Sequence, residues 1–182
     1  DNEVPVVTCK NYSVQLNASG VASITPSDVH LSSSDNCGTV NLVSVSPNSF
    51  TCANLGANTV TLTINDGNGN TNTCNATVTV TEASSTAPTS VTASSSFICT
   101  GSSVTLTQVG GSLGLGASYK WYTGSCGGTL VGTGASINVS PTTTTIYYVR
   151  AESVCSNGTS CASTTVIVNG SSTAPNSSVV LA

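Results

Sequence analysis

The strongest constraint on the fold is a run of alternating side chains around a Gly/Asn turn, NTVTLTINDGNGNTNTCNATVTV at 58–80. Apolar residues recur at every second position on both sides of the turn, which is the period of a β-strand with one buried face. Glycine and asparagine tolerate the positive φ angles that tight hairpin turns require. The sequence therefore predicts a long β-hairpin, which we interpret as the last hairpin of a first domain.

Shorter runs with the same period of two recur along the chain, and turn-formers such as GGSLGLG and SNGTS lie between them. No window shows the spacing of an amphipathic helix. Short strands separated by turn signals are typical of antiparallel sandwiches, so the predicted fold class is all-β, with two β-sandwiches in tandem. The alternating positions are Tyr12, Val14, Leu16 and Ala18; Val60, Leu62 and Ile64; Cys74, Ala76, Val78 and Val80; Val104 and Leu106; Tyr119 and Trp121; and Val166 and Val168.

The pentapeptide SSTAP occurs at 84–88 and again at 171–175. This spacing of about 87 residues is that of one small β domain with its connector. We interpret the pentapeptide as a linker with limited reach and bending. The predicted domains are 1–83, 84–170 with the linker at its start, and 171–182 as a linker and the start of a further repeat.

Charge and cysteine content bear on location and partners. The chain of 182 residues has 3 basic and 7 acidic residues, 8 cysteines and a pI near 4.4. So few cations make nucleic acid and anionic lipid unexpected partners. No long apolar run or charged-then-apolar start predicts a membrane span or a signal peptide. The even cysteine count indicates an oxidising compartment, so we expect a secreted or surface-displayed protein.

Residues 1–83 resemble the hyalin repeat, or HYR module, in DNEVPVVTC, SDNCG and DGNGNTNTCNATVTV. Residues 84–170 resemble the Ig-like modules of giant surface proteins of Bacteroidota, in ICTGSSVTLT, KWYTGSCGGTLVGTGASINVSPTTTTIYYVRAE and CASTTVIV. Those proteins include gliding adhesins and substrates of the type IX secretion system. The resemblance implies immunoglobulin-like sandwiches with an extracellular, adhesive role.

The aromatic residues of the second domain fit an immunoglobulin-like core. Trp121 stands where such sandwiches bury a strand-C tryptophan, and Tyr147 is a candidate tyrosine corner. The period of two directs Tyr119 and Trp121 inward together, which favours core packing over a sugar-stacking platform. Tyr122 is expected to point outward on its own.

The eight cysteines are expected to form two disulfides in each domain, because small domains with thin cores often need covalent cross-links. Immunoglobulin-like strand order brings the first and last strands of domain one together, and it places two cysteine pairs at opposite ends of domain two. A zinc site is disfavoured because no CxxC pair exists and the chain has one histidine. The predicted pairs are Cys9 with Cys74, Cys37 with Cys52, Cys99 with Cys126, and Cys155 with Cys161.

Two candidate chemistries are weighed against simpler interpretations. His30, near Asp28 and Asp35, is the one imidazole available to a catalytic triad, but a solvated loop residue is the favoured interpretation, and we expect no enzyme. The DGNGNTN segment has Asp66, Asn68 and Asn70 at alternate positions as in a calcium loop, yet the rest of an EF-hand is missing. We expect no cofactor, with another calcium site at Asp66 or Asp35 as the alternative.

These observations predict a structural repeat segment of a large secreted or cell-surface adhesin or extracellular fibre, acting as a disulfide-stapled stalk for cell adhesion. The expected partners are neighbouring repeats of the same chain or fibre, with surface glycans or proteins as further candidates. Three alternatives stay open. They are a filament subunit whose C-terminal NSSVVLA strand pairs with a neighbour, a binding module that uses its loops, and a non-catalytic module of a secreted enzyme.

Overall fold

The computed structural model describes residues 2–156 and 158–170. The expected third segment, 171–182, lies outside the described residues. Within the described part, no helix is both long enough and apolar enough to cross a membrane. The chain forms two compact units, of which the first comprises 2–84, 114–117 and 153–156 and the second comprises 85–113, 118–152 and 158–170.

The first unit is built from short strands around one long hairpin, and strand Tyr12–Gln15 runs parallel to its partner Thr71–Thr81, which corrects the expectation of purely antiparallel sheets. A four-stranded sheet has the order β2-β8-β7-β5, and two small sheets pair β1 with β4 and β3 with β6. A single helical turn, α1 (Pro26–Val29), precedes β4. The strands are β1 (Val6–Cys9), β2 (Tyr12–Gln15), β3 (Val21–Ser23), β4 (His30–Ser34), β5 (Asn41–Ser46), β6 (Ser49–Thr51), β7 (Gly56–Asn65) and β8 (Thr71–Thr81).

The predicted hairpin at 58–80 is confirmed as β7 and β8, which pair without interruption from Gly56 opposite Val80 to Asn65 opposite Thr71. The alternation in the sequence explains the core, because the apolar residues of both strands face inward and the polar ones face outward. Val60, with others of these residues, is buried in the core of the first unit.

The second unit contains two sheets with a separate core. A five-stranded sheet has the order β10-β16-β15-β12-β13, and a three-stranded sheet has the order β14-β11-β9. The GGSLGLG segment lies between β11 and β12. The strands are β9 (Ser90–Ala93), β10 (Phe97–Cys99), β11 (Val104–Val109), β12 (Ser118–Thr123), β13 (Thr129–Thr133), β14 (Ser136–Val139), β15 (Thr145–Glu152) and β16 (Ala162–Asn169).

Aromatic residues occupy the centre of the second core. Trp121 is fully buried, and Tyr119 and Tyr147 are buried beside it. The indole N–H of Trp121 donates to the carbonyl oxygen of Gly134 at 2.8 Å, which satisfies its one polar group. Burial raises the pKa of Tyr147. The structure therefore places Trp121 and Tyr147 in the packed interior.

The disulfides differ from the sequence-based expectation, because three bonds form among the described residues rather than two in each domain. Cys37 and Cys99 are free and exposed. The bonds join Cys9 to Cys74, Cys52 to Cys155, and Cys126 to Cys161. The first is the pair that the sequence predicted, whereas the predicted pairs Cys37 with Cys52, Cys99 with Cys126, and Cys155 with Cys161 are wrong.

Strand length explains why Cys37 and Cys52 do not meet. Cys52 directly follows β6 and lies close to the start of β7 at Gly56, whereas the 37–38 loop contacts the turn at Asp66, just beyond the end of β7. β7 has 10 residues, which at about 3.3 Å per residue places the two cysteines roughly 30 Å apart. Cys52 bonds instead to Cys155, whose segment belongs to the first unit.

The turn after β12 explains the bond between Cys126 and Cys161. This turn folds back over Arg150, since a Cβ built at Gly127 would lie 2.8 Å from the Arg150 guanidinium. The β15–β16 register pairs Val149 with Ala162, so Cys161 lies beside Arg150 on the adjacent strand. The turn thereby brings Cys126 to Cys161.

Candidate functional site

All charged residues of the second unit lie on two neighbouring strands. Lys120 is on β12, and Arg150 and Glu152 are on β15. The intervening residues Trp121 and Val149 are buried in the core. Because side chains alternate along a strand, the three charged residues point to the opposite, outer face of the five-stranded sheet. We call these three residues, with Tyr122, the Glu152 cluster.

Glu152 is the shared acceptor of this cluster. Lys120 Nζ lies 2.7 Å from Glu152 Oε2. Arg150 Nε donates to Glu152 Oε1 at 2.6 Å, and the Tyr122 hydroxyl donates to the same oxygen. Charge-assisted hydrogen bonds of this kind are about twice as strong as neutral ones. One carboxylate therefore holds three side chains in place.

Tyr122 is enclosed by the cluster. The guanidinium carbon of Arg150 lies 5.4 Å from the centre of its ring, which is the distance of a cation–π contact. On β15, Tyr148 lies directly opposite Tyr122. The expectation that Tyr122 points outward on its own is corrected, because it lies on the outer face but is buried and partnered by Glu152 and Arg150.

Two glycines permit the surrounding loops to cover the cluster. A Cβ built at Gly127 would lie 2.8 Å from Arg150 Nη2, and one at Gly158 would lie 2.7 Å from Glu152 Cγ. Both glycines have positive φ angles, +79° and +97°, which other residues adopt only with strain. The loops thereby reduce the exposure of the Glu152 side chain to 10% while leaving that of Lys120 at 35%.

The electrostatics of the cluster keep Glu152 ionised. Burial by itself raises the pKa of Glu152, but hydrogen bonds from Lys120, Tyr122 and Arg150 outweigh it and lower the pKa to about 2. The hydrogen bond to Glu152 raises the pKa of Lys120. For Tyr122, burial and the hydrogen bond to Glu152 both raise the pKa. All of these groups keep one protonation state near neutral pH, so the cluster suits electrostatic binding rather than proton transfer.

Exposed apolar side chains share this outer face with the cluster. Phe97 is 62% exposed, Leu130 52% and Ile146 46%. Phe97 and Ile146 neighbour the buried residues Ile98 and Tyr147, so alternation places them outward. Leu130 is paired with Tyr122 across β12 and β13. The face therefore combines two cations with exposed apolar surface.

Lys120, Arg150 and Glu152 were not predicted as site residues from the sequence, although a signal for them was present. Each alternates with residues expected in the core, and Arg150 and Glu152 are two apart on one predicted strand. Charges with this spacing must share the solvent-facing side of a sheet. That β12 and β15 are neighbours, and that one carboxylate joins the cations, depends on register that the sequence does not specify.

His30 begins β4 and is therefore not the loop residue that was expected. Its Nε2 lies 3.0 Å from Ser33 Oγ. The Asp28 carboxylate instead accepts hydrogen bonds from the backbone N–H and the hydroxyl of Thr25, at 2.7 and 2.8 Å. The Thr25 backbone N–H is the main cause of the lowered pKa of Asp28. Asp28 thus caps α1 rather than orienting His30.

The Asp66 carboxylate is occupied by its own turn. Its Oδ1 accepts hydrogen bonds from the backbone N–H groups of Asn68, Gly69 and Asn70, and its Oδ2 accepts one from the Asn70 side chain at 2.6 Å. Burial opposes ionisation of Asp66, but these hydrogen bonds prevail and lower its pKa. The geometry fits the hairpin interpretation of DGNGN.

Asp35, the other candidate calcium ligand, has one carboxylate oxygen, Oδ2, that is buried without a hydrogen-bond partner. Across residues 2–156 and 158–170, no group of three or more His, Cys, Asp or Glu is arranged to hold a metal ion. A calcium site at Asp66 or Asp35 stays a prediction.

Two all-β units with separate cores, together carrying three disulfides, define tandem immunoglobulin-like extracellular modules. Comparison with family models identifies each module. Residues 1–80 are a HYR domain, and residues 86–170 are an Ig-like domain of the CHU_C-associated type. Domains of these kinds are typically non-catalytic. The resemblance to a hyalin repeat followed by an Ig-like module is confirmed.

Comparison with solved structures gives matches of low sequence identity. Murine CEACAM1b is 16% identical, with a TM-score of 0.38 and coverage of 91% of this chain and 100% of that chain. The fibronectin(III)-like modules of Clostridium thermocellum CbhA are 14% identical, with a TM-score of 0.39 and coverage of 91% and 95%. These similarities concern the fold alone. No curated protein matches the chain.

Proposed function

We propose that the chain is a load-bearing repeat segment of a large secreted or cell-surface adhesin or extracellular fibre, a disulfide-stapled stalk for cell adhesion. The observation that supports this role is the covalent connectivity of its cysteines. Cys9 in the first strand is bonded to Cys74 in the last strand of the first unit. A pulling force therefore crosses a covalent bond instead of unzipping the hairpin and its neighbours.

The bonds Cys9–Cys74 and Cys52–Cys155 together shorten the path along which tension travels. The covalent path runs from Cys9 to Cys74, back to Cys52, and across to Cys155. Segments 9–52 and 74–155 are bypassed, which is roughly 120 residues or about 400 Å of extended chain. Even after its noncovalent structure is lost, the chain would therefore keep a short maximum length.

Single-molecule force spectroscopy on the full chain, pulled from both ends, tests this role. Reduced protein is expected to extend about 400 Å further than oxidised protein. The variant Cys126→Ser/Cys161→Ser is the matched control, because this bond lies off the load path and its loss leaves the oxidised length unchanged. Equal lengths for oxidised and reduced protein would show that the disulfides carry no load.

An extracellular location supports the same proposal. Disulfide-rich HYR and Ig-like modules suggest such a location, and disulfides persist in oxidising compartments. Neighbouring repeats of the same chain or fibre are the proposed partners. The alternative in which the NSSVVLA tail pairs with a neighbouring subunit concerns residues outside the described part of the structure.

A further inference from the structure

Charge is divided unequally between the two units. The first unit, counted with Asp1, holds six acidic residues and one lysine, a formal charge of −5, whereas the second holds Lys120, Arg150 and Glu152, a formal charge of +1. These values account for the net charge of −4 of the whole chain. Opposite charges on two parts of one molecule favour contact between copies.

The positive part is confined to one surface of the second unit. Lys120 and Arg150 lie side by side on the outer face of the five-stranded sheet. Glu152 neutralises one of the two charges, so one positive charge remains on a face that also exposes Phe97, Leu130 and Ile146. A face with exposed apolar side chains and a positive charge is complementary to a surface that is apolar and negatively charged.

The first unit offers a surface with these properties on its small β1–β4 sheet. Val6 on β1 and Leu31 on β4 are both exposed, at 62% and 59%. Glu3 precedes β1, and Asp35 follows β4. Since β1 and β4 are antiparallel with Val6 opposite Ser34, these two carboxylates lie at the same end of the sheet. Val6 therefore stands beside negative charge, whereas Leu31 lies towards the other end of the same sheet.

We propose that the outer face of the five-stranded sheet in one chain docks on the acidic β1–β4 face of a second copy. The charges match in sign, and each face adds apolar side chains. The two faces belong to different units, so the contact is heterologous, and a heterologous contact that does not close into a ring builds a fibre. This self-association is independent of the load-bearing role and of the NSSVVLA tail, so either can fail without the other.

Sedimentation velocity of the full chain at several concentrations tests the proposal. The variant Cys37→Ser/Cys99→Ser serves as the background, so that exposed thiols do not cross-link copies. Association is expected at an ionic strength of about 0.01 M, where the Debye length is ~30 Å, and it should disappear at about 1 M, where that length is ~3 Å. A chain that stays monomeric under both conditions overturns the proposal, even if it binds an acidic polysaccharide through Lys120.

Two lysine variants provide a matched comparison. Lys120→Gln and Lys10→Gln remove the same charge, so they change the overall repulsion between chains equally. Lys120→Gln is expected to weaken association roughly two- to fivefold, whereas Lys10→Gln makes the acidic unit more negative and should not weaken it. Equal effects of the two variants contradict the proposed docking faces. Phe97→Ser and Val6→Ser, at exposed positions on the two faces, are each expected to weaken association without lowering the melting temperature.

Discussion

Replacing Glu152 with glutamine tests the role of the Glu152 cluster in stability. Glutamine has nearly the same shape, but it removes the charge that pairs with Lys120 and Arg150. It also weakens the acceptor of the Tyr122 hydroxyl. The variant is therefore expected to fold, with two cations left close together and no counter-charge. We expect a lower melting temperature for the second unit at neutral pH.

The pKa of Glu152 sets the size of this effect. A fall of the pKa of Glu152 from its ordinary value of 4.5 to about 2, at about 1.4 kcal/mol per pKa unit, gives a ceiling of roughly 3.5 kcal/mol. Lys120 is 35% exposed, and solvent screening of such a pair lowers the expected loss to roughly 1–2 kcal/mol. For a domain of this size that corresponds to a decrease in melting temperature of roughly 4–16 °C.

The pH dependence of the melting temperature is a second test of the stabilisation by Glu152. Since the folded-state pKa of Glu152 is depressed, its stabilisation is fully present above pH 4.5 and is lost as the pH falls through about 2. The difference in melting temperature between wild type and Glu152→Gln should therefore shrink to nearly zero below pH 2. Differential scanning calorimetry under non-reducing conditions at several pH values measures it.

Glu82→Gln is the matched control, because it makes the same chemical change in the first unit. Glu82 accepts a single hydrogen bond from the Ser153 hydroxyl at 3.1 Å, so its loss should cost about 1 kcal/mol or less. Equal melting temperatures for wild type and Glu152→Gln at pH 7 would show that the Glu152 charge does not stabilise the second unit. A difference that persists unchanged below pH 2 would contradict stabilisation by that charge as well.

Two further substitutions test packing in each core. Trp121→Phe keeps a ring in the second core but removes the N–H that donates to Gly134 at 2.8 Å, so the free energy of unfolding should fall by roughly 2 kcal/mol in calorimetry. Gly20→Ala puts a Cβ 2.7 Å from Val154 Cγ1, whereas Gly56→Ala meets nothing within 4 Å, and both glycines have positive φ. Both variants carry backbone strain, so the close contact with Val154 is measured by the additional loss of melting temperature in Gly20→Ala. Equal losses in the two variants would show that the contact is relieved without cost.

The fold could be predicted where local pattern determines structure. The alternation at 58–80 reports both the strands and their buried face, and DGNGN marks the turn between them. The structure contains this hairpin with Asn65 opposite Thr71. Trp121 is likewise identified by its place in an alternating run, and it lies in the core.

The cysteine pairs could not be predicted in the same way, because pairing depends on which strand ends meet. Cys37 and Cys52 are close in sequence, yet they lie near opposite ends of β7. Cys126 reaches Cys161 because a glycine-containing turn folds back over Arg150, which alternation does not reveal. A bond such as Cys52 with Cys155 spans 103 residues, and no local pattern reports a contact of that range.

The Glu152 cluster could be predicted from the sequence only in part. Alternation alone assigns Lys120, Arg150 and Glu152 to the outer face of a sheet. The register of β12 against β15, which places Lys120 opposite Arg150, is fixed by pairing between distant segments. The residues of the site were therefore visible in the sequence, whereas their meeting at one carboxylate was not.

A non-reducing peptide map of the extracellular protein tests the covalent framework most directly. Free thiols are alkylated first, and digestion with pepsin at low pH then prevents disulfide exchange. Linked peptides are expected for Cys9 with Cys74, Cys52 with Cys155, and Cys126 with Cys161, and Cys37 and Cys99 should be alkylated. Linked peptides joining Cys37 to Cys52 or Cys155 to Cys161, or an alkylated Cys9, would contradict it.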